Sequence, residues 1–205
     1  MPRIGSEMIM NQSITFFDGQ FQKQVVSNDF ALNPFEKAAL PFVRGRVLDL
    51  GCGMGNLSIE AARHGASVLA VDASSAAIER IRKAASAEHL AIKAVLADIG
   101  SYELTEQFDT IAAIGLLMFF KKKKALSLLV EIQEHIAVAG LAIVNVLTEG
   151  TTFMGMFEPG NYYLFGQSEL EDRFDGWNIL RSTRESFDAP GNTKKEFSTV
   201  IAQKK

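Results

Sequence analysis

Between Val47 and Leu147 the chain sets five short apolar, β-branched runs among longer stretches of helical period, and this alternation restricts the fold more than any other feature. The runs are 47–51 (VLDLG), 67–72 (SVLAVD), 92–98 (IKAVLAD), 108–115 (FDTIAAIG) and 141–147 (LAIVNVL). Strands this uniformly apolar are buried on both faces, as in a parallel sheet with helices on either side. Helical patterns stand between them. One runs from Leu57 to His64 and is stopped by Gly65. A second is capped by Ser74, with Ala77, Ile78, Ile81, Ala84 and Ala85 on one face. A third runs from about Lys122 to Ala137, with Leu128, Leu129, Ile132 and Ile136 at helical spacing. The expected class is α/β with a doubly wound, mostly parallel sheet, whose ligands bind at the carboxyl ends of the strands.

The last quarter of the chain changes character. Residues 148–166 have no clear period and are rich in Gly, Phe, Tyr and Met. A short helix is expected at about 167–174, then two strands, WNILRSTRES (177–186) and EFSTVIAQ (196–203), joined around DAPGN. Proline and glycine there suit a hairpin turn, so seven strands are expected, the last two antiparallel. Upstream, Asn33-Pro34-Phe35-Glu36 supplies an N-cap, a first-turn proline and an acid at the third helical position, which starts a helix. The expected organisation is a single domain over 1–205: an N-terminal helical or lid segment (1–45), a binding core (46–147), and a substrate-side insert with terminal strands (148–205).

Composition narrows the partners. A net charge of −3 gives no electrostatic reason to expect nucleic acid or an anionic membrane. Cys52 is the only cysteine, which excludes an internal disulfide and a thiolate cluster. His64, His89 and His135 are scattered and form no ligand pair, so no metal is expected. The run Ile111–Phe120 is about half of what a membrane span requires, and the first dozen residues lack the apolar core of a leader. Lys121 to Lys124 read as a solvated helix start. A cytoplasmic protein without a membrane partner is expected; the oligomeric state is not legible.

The stretch VLDLGCGMGN carries the chemistry. Glycines at 51, 53 and 55 leave a turn bare enough for backbone N–H groups to reach a ligand. The dinucleotide fingerprint wants glycines at relative positions 1, 3 and 6, and here the sixth position is Asn56. Asp72 ends the second strand, where a carboxylate accepts both hydroxyls of a ribose; that position serves a nicotinamide cofactor equally well. Asp98 ends the third strand in the same way and is placed to receive the exocyclic amine of an adenine. Asp49, inside the first strand, suits a cationic amine better than a pyrophosphate. Cys52 is read as a small buried residue.

VLDLGCGMGN, VLAVDAS, LADI and FDTIAAIGLLMFF, in this order and at these separations, resemble the motifs of class I S-adenosylmethionine-dependent methyltransferases. The resemblance spans roughly residues 46–147. It implies a Rossmann-like methyltransferase fold and S-adenosylmethionine as cofactor, with S-adenosylhomocysteine as product. It further implies that Gly51, Gly53 and Asn56 hold the methionine part and Asp49 its amine. Asp72, with Ala73 beside it, would take the ribose, and Asp98 with the Ile99 backbone the adenine. Within the class, GLLMFF, IQEHIAVAG and ELEDRFDGWNIL are similar to the small tellurite-resistance-type methyltransferases. Those commonly carry a His-Arg pair shortly before an Asp-Ala-x-Gly turn; here Glu185-Ser186-Phe187 precede Asp188, without that pair. Only fold and cofactor are carried over.

Methyl transfer from a sulfonium is an in-line displacement, which needs an aligned, desolvated nucleophile more than a general base. The Asn-Pro-Pro-Tyr type motif of nucleic-acid amino methylation is absent. The chain offers instead an apolar mouth, Leu117, Met118, Phe119 and Phe120. Phe157, Tyr162 and Tyr163 of the insert and the early Phe16 and Phe17 are candidates to close over it. A small, partly apolar methyl acceptor is expected, with no catalytic residue assigned. Two other readings stay open: a nicotinamide-dependent oxidoreductase, and a non-catalytic nucleoside-binding domain of the same fold.

Overall fold

In a computed structural model describing residues 12–27 and 29–205, all seven expected strands form and join one sheet. The strands are β1 (Arg46–Leu50), β2 (Ser67–Asp72), β3 (Ile92–Leu96), β4 (Phe108–Ile114), β5 (Ile136–Leu147), β6 (Asn178–Ala189) and β7 (Thr193–Gln203). Their order is β3-β2-β1-β4-β5-β7-β6; the first five are parallel, and β7 runs antiparallel to both β5 and β6. This is the Rossmann-like arrangement expected. The order turns between β1 and β4, so the glycine loop after β1 lies at the switch point of the sheet.

The helices are α1 (Gln12–Ser27), α2 (Pro34–Ala39), α3 (Asn56–Arg63), α4 (Ser75–Glu88), α5 (Lys122–Glu134) and the single turn α6 (Glu169–Asp172). Alternation along β1 sorts its side chains between two cores. Leu48 and Leu50 pack with Leu128, Leu129 and Ile132 of α5. Val47 packs with Ala61 of α3 and Ile78 and Ile81 of α4. Asp49 therefore emerges on the α3 face. Helix starts follow local chemistry. Asn33 accepts from Glu36 N while Glu36 reaches back to the Asn33 amide, a complete capping box, and Ser74 Oγ accepts from Ala77 N.

Three boundaries differ from the sequence expectation. The α5 helix ends at Glu134, and β5 starts at Ile136 rather than 141. The Phe108 amide donates to the His135 carbonyl at 2.9 Å and Ile136 pairs with Phe108, which draws these residues into the sheet. Ala139, at φ 60°, absorbs the irregularity. The terminal hairpin is longer than its apolar stretches, because pairing extends to Ala189 and Thr193 around a turn at 190–192. The helix expected at 167–174 is reduced to α6. The first eleven residues, on which the expectation of no leader rests, lie outside the described residues. No described helix is long and apolar enough to cross a membrane.

Candidate active site

The loop leaving β1 folds back on the end of β2. The Gly51 and Cys52 amides donate to the Val71 carbonyl at 2.8 and 3.1 Å, and the Gly53 amide donates to Asp72 Oδ2 at 2.8 Å. Gly51, Gly53 and Gly55 all have left-handed φ, at 73°, 51° and 74°. Their bareness serves different neighbours. A Cβ on Gly55 would collide with Ile81 of α4, whereas one on Gly53 would reach the Phe21 ring of α1 at 3.4 Å. The third glycine thus lets the loop lie on α4, and the second keeps the space under α1 open.

Each of the three acids is held differently. Asp49 is 4% exposed and accepts the Ser58 hydroxyl at 2.6 Å. Burial pushes its carboxyl up to about 7; Ser58 opposes this, while the negative charges of Glu36 and Asp72 add to it. Asp72 accepts two backbone amides, Gly53 N on Oδ2 and Ser74 N on Oδ1, both at 2.8 Å. Asp98, exposed, accepts from Gly100 N at 2.9 Å and from the Ser101 hydroxyl at 3.1 Å. Asp98 lies two residues past the end of β3, in a turn, rather than on the strand itself.

An open cavity of about 410 Å³ joins these groups. All eight cofactor candidates line it: Asp49, Gly51, Gly53, Asn56, Asp72, Ala73, Asp98 and Ile99. Of the seven acceptor-side candidates, Phe16, Phe17, Met118 and Phe119 line it as well. Phe157, Tyr162 and Tyr163 do not. Phe157 is buried behind Phe119, with ring centroids 5.2 Å apart, and Tyr162 stacks on its outer side at 4.9 Å. Tyr163 donates its hydroxyl to Glu169 Oε2 at 2.5 Å, and burial with that carboxylate raises its pKa well above the usual phenol range. Phe157 and Tyr162 therefore make a second layer that braces Phe119, while Tyr163 packs on Phe165, with ring centroids 4.7 Å apart.

The cavity also has walls that sequence reasoning missed. Phe21 of α1, Phe35 and Glu36 of α2, Asn145 of β5, Met156, and Lys195 and Phe197 of β7 all face it. The capping box accounts for Glu36 locally, yet this residue is also partly buried, which raises its pKa. Asn145 carried a visible signal, since it is the one polar residue in LAIVNVL.

Two features say what a ligand must bring near the loop. Among the described residues Asn56 Oδ1 is buried with no hydrogen-bond partner, and Asp49 is a buried carboxyl on the same cavity. Both call for a donor, and a cationic amine supplies several N–H groups and a positive charge at once. Cys52 is buried, and burial beside Asp49 and Asp72 drives its thiol pKa well up, which makes it a poor nucleophile. Among the described residues, no group of three or more His, Cys, Asp or Glu converges as a metal site would.

Comparison with known proteins gives consistent matches. The family model of tellurite resistance protein TehB matches residues 25–199. A probable S-adenosyl-L-methionine-dependent methyltransferase TehB from Haemophilus influenzae (strain 10810) is 28% identical over 166 residues, which is 78% of this chain and 57% of that protein. The chain thus spans little more than half the length of that relative. Among solved structures, TehB from Haemophilus influenzae superposes with a TM-score of 0.75 at 24% identity, over 89% of this chain and 65% of that one. Magnesium protoporphyrin IX methyltransferase from Synechocystis PCC 6803, solved with S-adenosylmethionine bound, superposes with a TM-score of 0.65 at 15% identity, over 98% and 100% of the two chains. At these identities the superpositions speak for the fold.

Proposed function

We infer that this chain, which belongs to the tellurite resistance protein TehB family, uses S-adenosylmethionine to methylate a small-molecule acceptor. The observation that carries the reading is one cavity uniting the three acids at the ends of β1, β2 and β3 with a chamber walled by Phe16, Phe17, Met118 and Phe119. Names of relatives support it. When bound, the cofactor supplies an electrophilic methyl group on a sulfonium.

The protein's own residues do the rest. Asp49 and Asn56 hold the ammonium of the methionine part, which lies against the glycine loop. Asp72 takes the ribose hydroxyls while its bond to the Gly53 amide keeps that loop in place. Asp98 and the Ile99 backbone take the adenine. Phe16 and Phe17 cover the chamber from α1, and Phe119 forms its floor, braced by Phe157 and Tyr162. Excluding water there aligns and desolvates the acceptor nucleophile. A lone, buried cysteine suits a reducing, cytoplasmic setting.

Calorimetric titration with S-adenosylhomocysteine and with NAD tests the reading. The first is expected to bind and the second not. Binding of NAD alone would turn the same Asp72 into the mark of an oxidoreductase. Binding of S-adenosylhomocysteine, with no turnover of any thiol, amine, hydroxyl or metalloid acceptor, would favour a non-catalytic domain.

A further inference from the structure

Beyond the cofactor residues, the cavity carries two polar side chains that methyl-donor binding does not use. Lys195 and Asn145 stand on the far wall, with Phe197 between them in register. Lys195, Phe197 and Thr199 alternate onto one face of β7, and the Asn145 amide Nδ2 donates to Thr199 Oγ1 at 2.8 Å.

Asn145 is fully buried, yet among the described residues its Oδ1 has no hydrogen-bond partner. Leaving a buried carbonyl oxygen unpaired is costly. With Nδ2 committed to Thr199, the other end of this amide is an acceptor, and Asn145 is among the residues that line the cavity.

Lys195 is half-buried and, among the described residues, has neither an ion pair nor a side-chain hydrogen bond. Its Nζ lies over the Phe153 ring instead, 4.7 Å from the centroid. Desolvation pulls its pKa down, the direction expected of a cation short of a counter-charge. Between the two positions the wall is aromatic: Phe35 packs on Phe197 with centroids 4.6 Å apart, and both line the cavity.

We propose that the methyl acceptor is a small aromatic acid, with its carboxylate on Lys195, its ring against Phe35 and Phe197, and an N–H or O–H group donating to Asn145 Oδ1. This rests on the methyltransferase reading and deepens it by naming the substrate class. One end of the acceptor meets a cation without an ion pair among the described residues, the other a buried carbonyl oxygen without a partner among them, and the apolar body meets rings.

The test uses the protein saturated with S-adenosylhomocysteine and titrated with matched probes. Hydroxy- and aminobenzoates and the corresponding naphthoates are each paired with their neutral carboxamides. The acids are expected to bind at least tenfold more tightly than the amides. In Lys195→Gln that preference is expected to vanish while amide binding persists, and affinity for S-adenosylhomocysteine reports that the variant is folded. Asn145→Leu is expected to remove the advantage of hydroxybenzoates over benzoate itself. Equal binding of acids and amides to the wild-type protein overturns the proposal. So does an equal loss for both classes in Lys195→Gln. Failure of S-adenosylhomocysteine to bind at all would instead overturn the underlying methyltransferase reading, so the two failures are distinguishable.

Discussion

The Ser58 hydroxyl of α3 donates to Asp49 Oδ2 of β1 at 2.6 Å, inside a site where burial holds the Asp49 carboxyl at about 7. Its folded pKa lies above the ordinary carboxyl value of 3.8. The sign of the linkage follows. In the ligand-free protein this group's contribution to stability is fully present below about pH 4 and is lost as pH rises through about 7. A cofactor ammonium beside Asp49 reverses the preference, because it favours the ionised form. Affinity for S-adenosylhomocysteine is therefore expected to rise between pH 6 and pH 8, steepest below 7, where it approaches tenfold per unit. Calorimetry in buffers of different ionisation enthalpy should record release of up to one proton per ligand near pH 6. Ser58→Ala removes a donor to the charged form and should move the profile upward in pH. A flat profile would remove Asp49 from the ammonium site.

Asp72 links the glycine loop to α4 as well as facing the cavity, so its substitutions separate into two effects. Asp72→Asn retains one acceptor oxygen and loses the charge; affinity for S-adenosylhomocysteine should fall at least tenfold with a modest change in stability. Asp72→Ala strips the partners from both the Gly53 and Ser74 amides. It should lose affinity similarly and also about 1–3 kcal/mol of stability. Denaturant unfolding beside calorimetry checks both. Equal affinity of Asp72→Asn and the wild-type protein would contradict the ribose role.

How much of this was legible in the sequence depends on how local the cause is. The acids near the strand ends were readable because a strand's apolar run and the residue that follows it are adjacent in the chain. Ser74 and Asn33 announced their caps for the same reason. The start of β5 was not readable: Ile136 continues the helical spacing of α5, and only pairing with the distant Phe108 makes it a strand. Lys195, Phe197 and Asn145 were missed because their meeting depends on β5 and β7 becoming neighbours in a particular register. Tyr162 and Tyr163 share with Phe157 a segment without period, and which layer each ring occupies is decided by how that segment folds. Of the early phenylalanines, Phe16 and Phe17 were visible as candidates, but their place over the cavity comes from α1 packing on Phe119 and Phe153.

Gly55 offers a test of how the loop is built. Its φ of 74° costs an alanine about 1–2 kcal/mol, and the added Cβ would also collide with Ile81. Gly65, at φ 90°, has nothing within 4 Å of where an added Cβ would stand, so Gly65→Ala measures a backbone cost without a clash. Gly55→Ala should therefore destabilise more than Gly65→Ala in urea unfolding. Gly55→Ala should cost less in an Ile81→Ala background than in the wild-type protein, because that change removes both Cγ1 and Cδ1, the atoms the new Cβ would meet. If both glycine variants lose the same stability, the contact with Ile81 does not constrain the loop.

The pair Asn145 and Thr199 distinguishes a binding role from a structural one. If their hydrogen bond exists to stabilise the sheet, replacing both with apolar residues of similar volume should weaken folding. The unpaired Oδ1 argues the opposite, since removing an unsatisfied buried acceptor together with both members of one hydrogen bond is close to neutral or stabilising. The double variant Asn145→Leu with Thr199→Val is thus expected to unfold at an equal or higher urea concentration than wild type and to bind S-adenosylhomocysteine normally. Asn145→Leu alone should be less stable than the double variant by about 1 kcal/mol, because it leaves the Thr199 hydroxyl without its partner. Binding of hydroxybenzoates should fall in both. A double variant that binds them as wild type does would assign the Asn145 amide to packing alone.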